Sequence, residues 1–162
     1  MDDMQLLAYL EKNANMDRAT LADVLETEKS EVLTALNDLE KEKVICGYHT
    51  IINWNKTNKE RVTSIIFADA IPEREFGYEK IARKIYQYPE VDSMHLMSGK
   101  SDFIIMIHGK SMKEVADFVA TKLACIDGIS ATSTLFVLQT YKSNGFIFAE
   151  EENKRERLVV TP

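Results

Sequence analysis

The chain has 162 residues, 20 of them basic and 26 acidic, for a net charge of −6, and 45% of its positions are apolar. That is one ordinary domain or two small ones, and the composition excludes a disordered or fibrous protein. No apolar run reaches the roughly 18–20 residues that cross a bilayer, and the N-terminus is acidic where a signal peptide would be basic. Cys46 and Cys125 stand alone, with neither a disulfide framework nor a zinc spacing. These features predict a cytoplasmic protein without a membrane partner.

Residues 1–60 carry seven basic and twelve acidic residues, so the first third of the chain is its most acidic part. No segment has the basic excess of a non-specific nucleic-acid coat.

Met4, Leu7 and Leu10, with Leu6 beside them, mark a first helix to about Lys12. After a break at Asn13–Met16, Asp17 is an N-cap for a second helix with Leu21, Val24 and Leu25 inward. A third helix starts at Thr27 or Glu28, faces Val32, Leu36 and Leu39 inward, and ends near Lys43. Val44-Ile45 then begins an extended piece towards Trp54. Three short helices and a strand suggest a winged helix-turn-helix, although periodicity alone fits a plain three-helix bundle equally well.

A polar stretch over 54–61 reads as a linker. Beyond it Val62–Ala70 is a β-branched strand, and Phe76–Tyr88 a helix with Phe76, Ile81 and Ile85 inward. Val91–Ser98 is a second strand, Gly99-Lys100-Ser101-Asp102 a turn, and Phe103–His108 a third strand. Ser111 caps a helix to Leu123 with Met112, Val115, Val119 and Leu123 as its stripe, and Ile129–Tyr141 is a long last strand. The order βαββαβ is ferredoxin-like. The fold class is therefore α+β, an N-terminal winged helix-turn-helix (1–53) followed by a ferredoxin-like domain (62–142). The tail 143–162 is compatible with an edge strand, a swapped arm or no role.

Two helices cover one face of such a sheet, yet the third strand is apolar on both: Phe103, Ile105 and Ile107 on one side, Ile104 and Met106 on the other. The last strand pairs Phe136 and Leu138 on one side against Leu135 and Val137. An apolar second face calls for a cover, and a second copy of the chain is the simplest. A dimer is expected, with a tetramer or octamer as dimers of dimers.

Catalytic chemistry has thin support. No nucleophile elbow, phosphate loop or metal triad is present, His95 and His108 lack an evident third ligand, and no metal or cofactor is predicted. The third helix is more informative. At about 100° per residue, its outward face carries Ser30, Thr34, Asn37 and Lys41, hydrogen-bond donors without an acid among them. These are candidates for contact with double-stranded DNA, with Lys29 and Lys43 near phosphates.

The turn at 98–102 suits a plain hairpin, and it also suits a small-molecule site. An amino acid needs an acceptor for its ammonium, which Asp102 would supply, and donors for its carboxylate. Main-chain N–H groups around Gly99 and the hydroxyls of Ser101 and Thr134 would serve there, Gly99 also adopting an unusual backbone angle. Met97, Met112, Leu135 and Phe136 would form an apolar wall, while Lys100 either selects an acidic ligand or points to solvent.

This pattern resembles the Lrp/AsnC (feast/famine) family of transcriptional regulators. Leu21-Ala22, Val32, Leu36, Leu39-Glu40, Val44-Ile45 and Gly47-Tyr48 carry the likeness in the first part. His95-Leu96-Met97-Ser98-Gly99, Lys100-Ser101, Asp102-Phe103 and Thr134–Lys142 carry it in the second. The resemblance spans about residues 4–142. It implies DNA binding by residues 27–43 and effector binding in the C-terminal domain at interfaces between copies. The chain differs in having Leu33-Thr34-Ala35 where arginines are common, Glu26 and Lys43 in place of glycines, and Lys100 where an acid is frequent. The leading expectation is a DNA-binding regulator that responds to an amino acid or related metabolite, and not an enzyme. The alternatives are an effector-sensing co-regulator without direct DNA binding, or a small dimeric ferredoxin-like enzyme.

Overall fold

The structure, a computed structural model, describes residues 2–74 and 76–149. They form two compact units that divide between Ile52 and Asn53.

The first unit holds α1 (Asp3–Lys12), α2 (Arg18–Val24) and α3 (Lys29–Lys41). Asp17 caps α2 by accepting the N–H groups of Ala19 and Thr20, and these two bonds hold its carboxyl below its ordinary range. Leu6, Leu10, Leu21, Ala22, Val32, Leu36 and Leu39 form the core. Met4 and Val24, predicted inward, are exposed instead, because α1 packs through the i, i+4 pair Leu6 and Leu10 and α2 through Leu21 and Ala22.

Both α2 and α3 end in the same device. Thr27 N–H bonds to Ala22 O and Glu26 N–H to Asp23 O, and likewise Val44 N–H to Leu39 O and Lys43 N–H to Glu40 O. This double reach-back requires a left-handed residue after the helix, and Glu26 (φ 50°) and Lys43 (φ 61°) take it. Residues 42–53 contain no strand, so the predicted wing has no ladder; Tyr48 is tied back by its hydroxyl, which donates to Glu40 Oε1 at 2.9 Å.

The second unit contains β1 (Val62–Ala70), α4 (Glu79–Tyr86), β2 (Val91–Leu96), β3 (Phe103–Gly109), α5 (Met112–Phe118) and β4 (Ile129–Phe136). The strands form one antiparallel sheet in the order β2-β3-β1-β4. Alternation decides what each strand buries. Ile66, Ala68 and Ala70 of β1 and Phe103, Ile105 and Ile107 of β3 pack with Ile81 and Ile85 of α4 and with Val115, Phe118 and Leu123 at the second helix. Each large side chain so buried contributes about 1.5–3 kcal/mol. The opposite face carries Ile65 and Phe67 of β1, in register with Met106 and Ile104 of β3, and Leu135 of β4 beside Ile65. The centre of this face is apolar, and it is only partly buried, Leu135 being 55% exposed.

Several boundaries differ from the sequence reading. The helix predicted from Phe76 starts at Glu79, because Glu73 and Gly77 exchange backbone hydrogen bonds around a tight loop in which Gly77 has φ 56°. Phe76 is consequently exposed. Met112 is 55% exposed, since Phe118 takes the inward place on the far side of Val115 and one π-type turn (Val119–Leu123) resets the phase that brings Leu123 inside. The last strand stops at Phe136, where its partner β1 begins: Ser64 faces Phe136, and the N–H of Val137 makes a final bond to Thr63 O. Beyond it Leu138 is exposed, and a small hairpin, β5 (Lys142–Ser143) and β6 (Phe146–Ile147), turns at Asn144-Gly145. The charged end of the predicted tail, residues 150–162, lies outside the described residues.

Candidate functional site

Two places have the chemistry of a site. On α3, the four residues predicted to face outward, Ser30, Thr34, Asn37 and Lys41, are exposed, as are Lys29 at its start and Lys43 just beyond its end. Ser30, Thr34, Asn37 and Lys41 fall within an arc of about 60°. One of them is weaker as a donor than expected, because Thr34 Oγ1 donates to the Ser30 carbonyl at 3.0 Å and retains acceptor capacity alone. Lys41 lies 3.8 Å from Asp38, both exposed, a loose pair that leaves the ammonium available. The flank is acidic: a groove of about 570 Å³ runs between Ser30 and Thr34 and the carboxylates of Asp3, Glu31, Asp38 and Glu42.

The second place is a cavity of about 590 Å³ on the open face of the sheet, where the β2–β3 hairpin meets β1 and β4. Four of the predicted effector residues line it: Met97, Gly99, Ser101 and Leu135. Four do not. Thr134 faces Ile66 and Phe136 faces Ser64, which puts both on the helix-covered side, because odd and even positions of β4 point to opposite faces. Met112 belongs to α5 and is not among the lining residues.

Asp102 is the most consequential difference. Its Oδ2 accepts the Ala70 N–H and its Oδ1 the Tyr78 hydroxyl, each at 2.8 Å. Those bonds, Ala70 first, hold the carboxyl below its ordinary range, and Asp102 in turn pushes the Tyr78 hydroxyl up. Both oxygens are thus engaged within the fold, and Asp102 is not among the residues that line the cavity. Gly99 differs as well: its backbone lies outside the left-handed region, and a side-chain carbon there would meet nothing within 4 Å.

Phe67, Asp69, Ser98, Ala131, Thr132 and Ser133, none of them a predicted site residue, complete the lining together with Ile104 and Lys100. Alternation in β1 and β4 places Phe67 and Asp69 with Ala131 and Ser133, but the register that aligns them with the hairpin is a tertiary fact. Asp69 stands out, because its Oδ1 is shielded from solvent and accepts no hydrogen bond among the described residues.

His108 Nδ1 lies 3.0 Å from Thr63 Oγ1 and its Nε2 3.5 Å from Asp92. Among the described residues no three metal-ligating side chains gather.

An exposed polar helix face in a three-helix unit, together with a cavity on a ferredoxin-like sheet, defines a helix-turn-helix regulator with a ligand-binding domain. Comparison with known proteins agrees. Residues 63–146 match the Lrp/AsnC ligand binding domain. The HTH-type transcriptional regulator YugG of Bacillus subtilis (strain 168) is 38% identical over 161 residues, 99% of this chain and 96% of that one. LrpA of Pyrococcus abyssi is 28% identical over 86% of this chain and 96% of its own. Among solved structures, Escherichia coli AsnC superposes with a TM-score of 0.67 at 20% identity, covering 92% of this chain and 99% of that one. A Neisseria meningitidis transcriptional regulator solved as its L-Met complex gives 0.69 at 21%, covering 88% and 93%. These two likenesses show the shared fold. The chain belongs to the Lrp/AsnC family, and it is a DNA-binding transcriptional regulator with an effector domain.

Proposed function

We propose that the regulator reads DNA through α3 as a dimer or larger assembly and responds to a free amino acid bound in the cavity beside the β2–β3 hairpin. The observation that carries this is the cavity itself, which combines apolar wall (Met97, Leu135), hydroxyl (Ser101) and main-chain donors around Gly99 at the mouth of a partly buried apolar sheet face. The L-Met complex of the Neisseria relative supports the amino-acid class. The Ile65, Phe67, Ile104, Met106 and Leu135 surface supports self-association, since a homodimer interface buries mostly apolar area. Ser30, Asn37 and Lys41 would meet base edges and Lys29 and Lys43 phosphates, on half-sites about one helical turn apart. The function needs no metal or cofactor.

The acidic groove along Asp3, Glu31, Asp38 and Glu42 favours a second reading, an effector-sensing co-regulator that does not itself hold DNA. Selection of genomic fragments by the purified protein, with and without an amino-acid mixture, separates the two. The first reading expects a recovered, roughly palindromic site, effector-dependent binding, and loss of binding in Asn37→Ala/Lys41→Ala. Recovery of no sequence, or binding untouched by that double variant, would defeat it.

A further inference from the structure

We infer that the segment opening the second unit, with Lys59 and Arg61 gathered on Trp54 and Lys56 in the turn that Trp54 begins, is a second DNA contact that binds the phosphate backbone of the duplex. This rests on direct binding of DNA by the regulator and goes beyond it in placing a contact outside α3.

Charge sets the problem. Residues 1–52, which include α3, carry five basic and eleven acidic residues, whereas a duplex carries one negative charge per about 1.7 Å of its axis. Lys29, Lys41 and Lys43 at the ends of α3 stand against Glu31, Asp38, Glu40 and Glu42, so this unit has no cationic excess to offset repulsion from phosphates. The stretch 53–61 reverses the sign, with three basic residues and one acid in nine positions.

Its local structure keeps those charges on display. A single helical turn over Trp54–Lys56 is closed by the Lys56 N–H on Asn53 O and by the Thr57 N–H on Trp54 O. The Thr57 hydroxyl donates to the same Trp54 carbonyl at 2.8 Å and accepts the Lys59 N–H at 3.3 Å, which fixes the backbone from Trp54 to Lys59. Lys59 Nζ lies 4.9 Å and Arg61 Cζ 5.1 Å from the centre of the Trp54 ring. The negative face of the indole thus holds two cations near each other without neutralising either. Lys56, Lys59 and Arg61 join no ion pair among the described residues, and Lys56 and Lys59 are exposed. Cations arranged in advance and left without carboxylates suit anionic oxygens from outside the protein. The Trp54 ring is half-buried and already carries cations, which makes it a poor platform for stacked bases and favours duplex backbone over a single strand.

The test is titration of a fluorescein-labelled duplex of mixed sequence, and of its separated single strand, with the full chain in about 50–200 mM potassium chloride. Phosphate contacts carry no sequence information, so a mixed duplex reports them. Lys56→Gln/Lys59→Gln/Arg61→Gln should weaken duplex binding about tenfold or more at the lowest salt, and should make the slope of log K against log salt shallower by about 2–3. Lys56→Arg/Lys59→Arg/Arg61→Lys should match wild type in both readings, because charge is kept while shape is not. If the glutamine triple variant proves unfolded by circular dichroism, Lys56→Gln/Lys59→Gln, at two exposed positions, should reduce the slope by about 2. No wild-type binding of the duplex at the lowest salt would overturn both this inference and the direct-DNA reading. A slope unchanged in the glutamine variants would overturn the inference alone, as would tighter binding of the single strand than of the duplex.

Discussion

The Tyr78 hydroxyl donates to Asp102 Oδ1 at 2.8 Å, and the ring of Tyr78 meets Phe103 edge-on with centroids 5.6 Å apart. With the bond from the Ala70 N–H to Oδ2, this pair fastens the end of the hairpin to the end of β1 and the entry of α4. Tyr78→Phe and Asp102→Asn should each lower the melting temperature of the ligand-free protein by about 2–6 °C. Their effects should be less than additive in the double variant, since both remove the same bond. Effector-induced stabilisation should persist in Asp102→Asn. A ligand-free melting point equal to wild type, read by circular dichroism, would contradict the role assigned here.

Acid should weaken the second unit in two steps. Burial lowers the pKa of His108, aided by the nearby Arg61 and opposed by Asp92. A depressed native value means that the unfolded chain binds the proton more readily, so the stability is present above about pH 6.5 and is lost as pH falls through the native value. His108→Gln should flatten this part of the melting-temperature profile. Asp102, also depressed, contributes above pH 3.8 and loses its contribution at still lower pH, a step that Asp102→Asn should remove.

Glu26 and Lys43 hold left-handed backbone angles that side-chain-bearing residues adopt at a cost. Glu26→Gly and Lys43→Gly should each raise the unfolding free energy of the first unit by about 1 kcal/mol, read as a higher denaturant midpoint with unchanged slope. The two should add, because they close different helices. A lower midpoint in either would show that side-chain contacts outweigh backbone strain there.

Neighbouring residues of β3 should behave oppositely. Ile105 is fully buried against the helices, and Ile105→Ala should destabilise the domain by about 2–5 kcal/mol. Ile104 lies on the opposite, partly buried face, so Ile104→Asp should leave the fold's circular dichroism intact while lowering the mass seen by light scattering. Wild type measured as a monomer at micromolar concentration would refute the association.

The sequence by itself determined the βαββαβ order of the second unit, the outward stripe of α3 and the two-faced apolar character of β3. Each of these follows from a local period: 3.6 residues in Ser30, Thr34, Asn37 and Lys41, and two in Phe103 to Ile107. The same arithmetic names left-handed positions only after the fact, since Glu26 and Lys43 do not announce the angles that helix closure imposes on them. Tertiary structure alone decided the composition of the cavity. Asp69 and Asp102 are both carboxylates at strand ends, indistinguishable by residue type, but Asp102 meets Ala70 and Tyr78 while Asp69 turns to the open face. It likewise separated Leu135 from Thr134 and Phe136, because a β4 register fixed by pairing with β1 sends alternate side chains to opposite sides of the sheet. Which donors and charges converge depends on contacts between segments distant in the chain, and no local period encodes them.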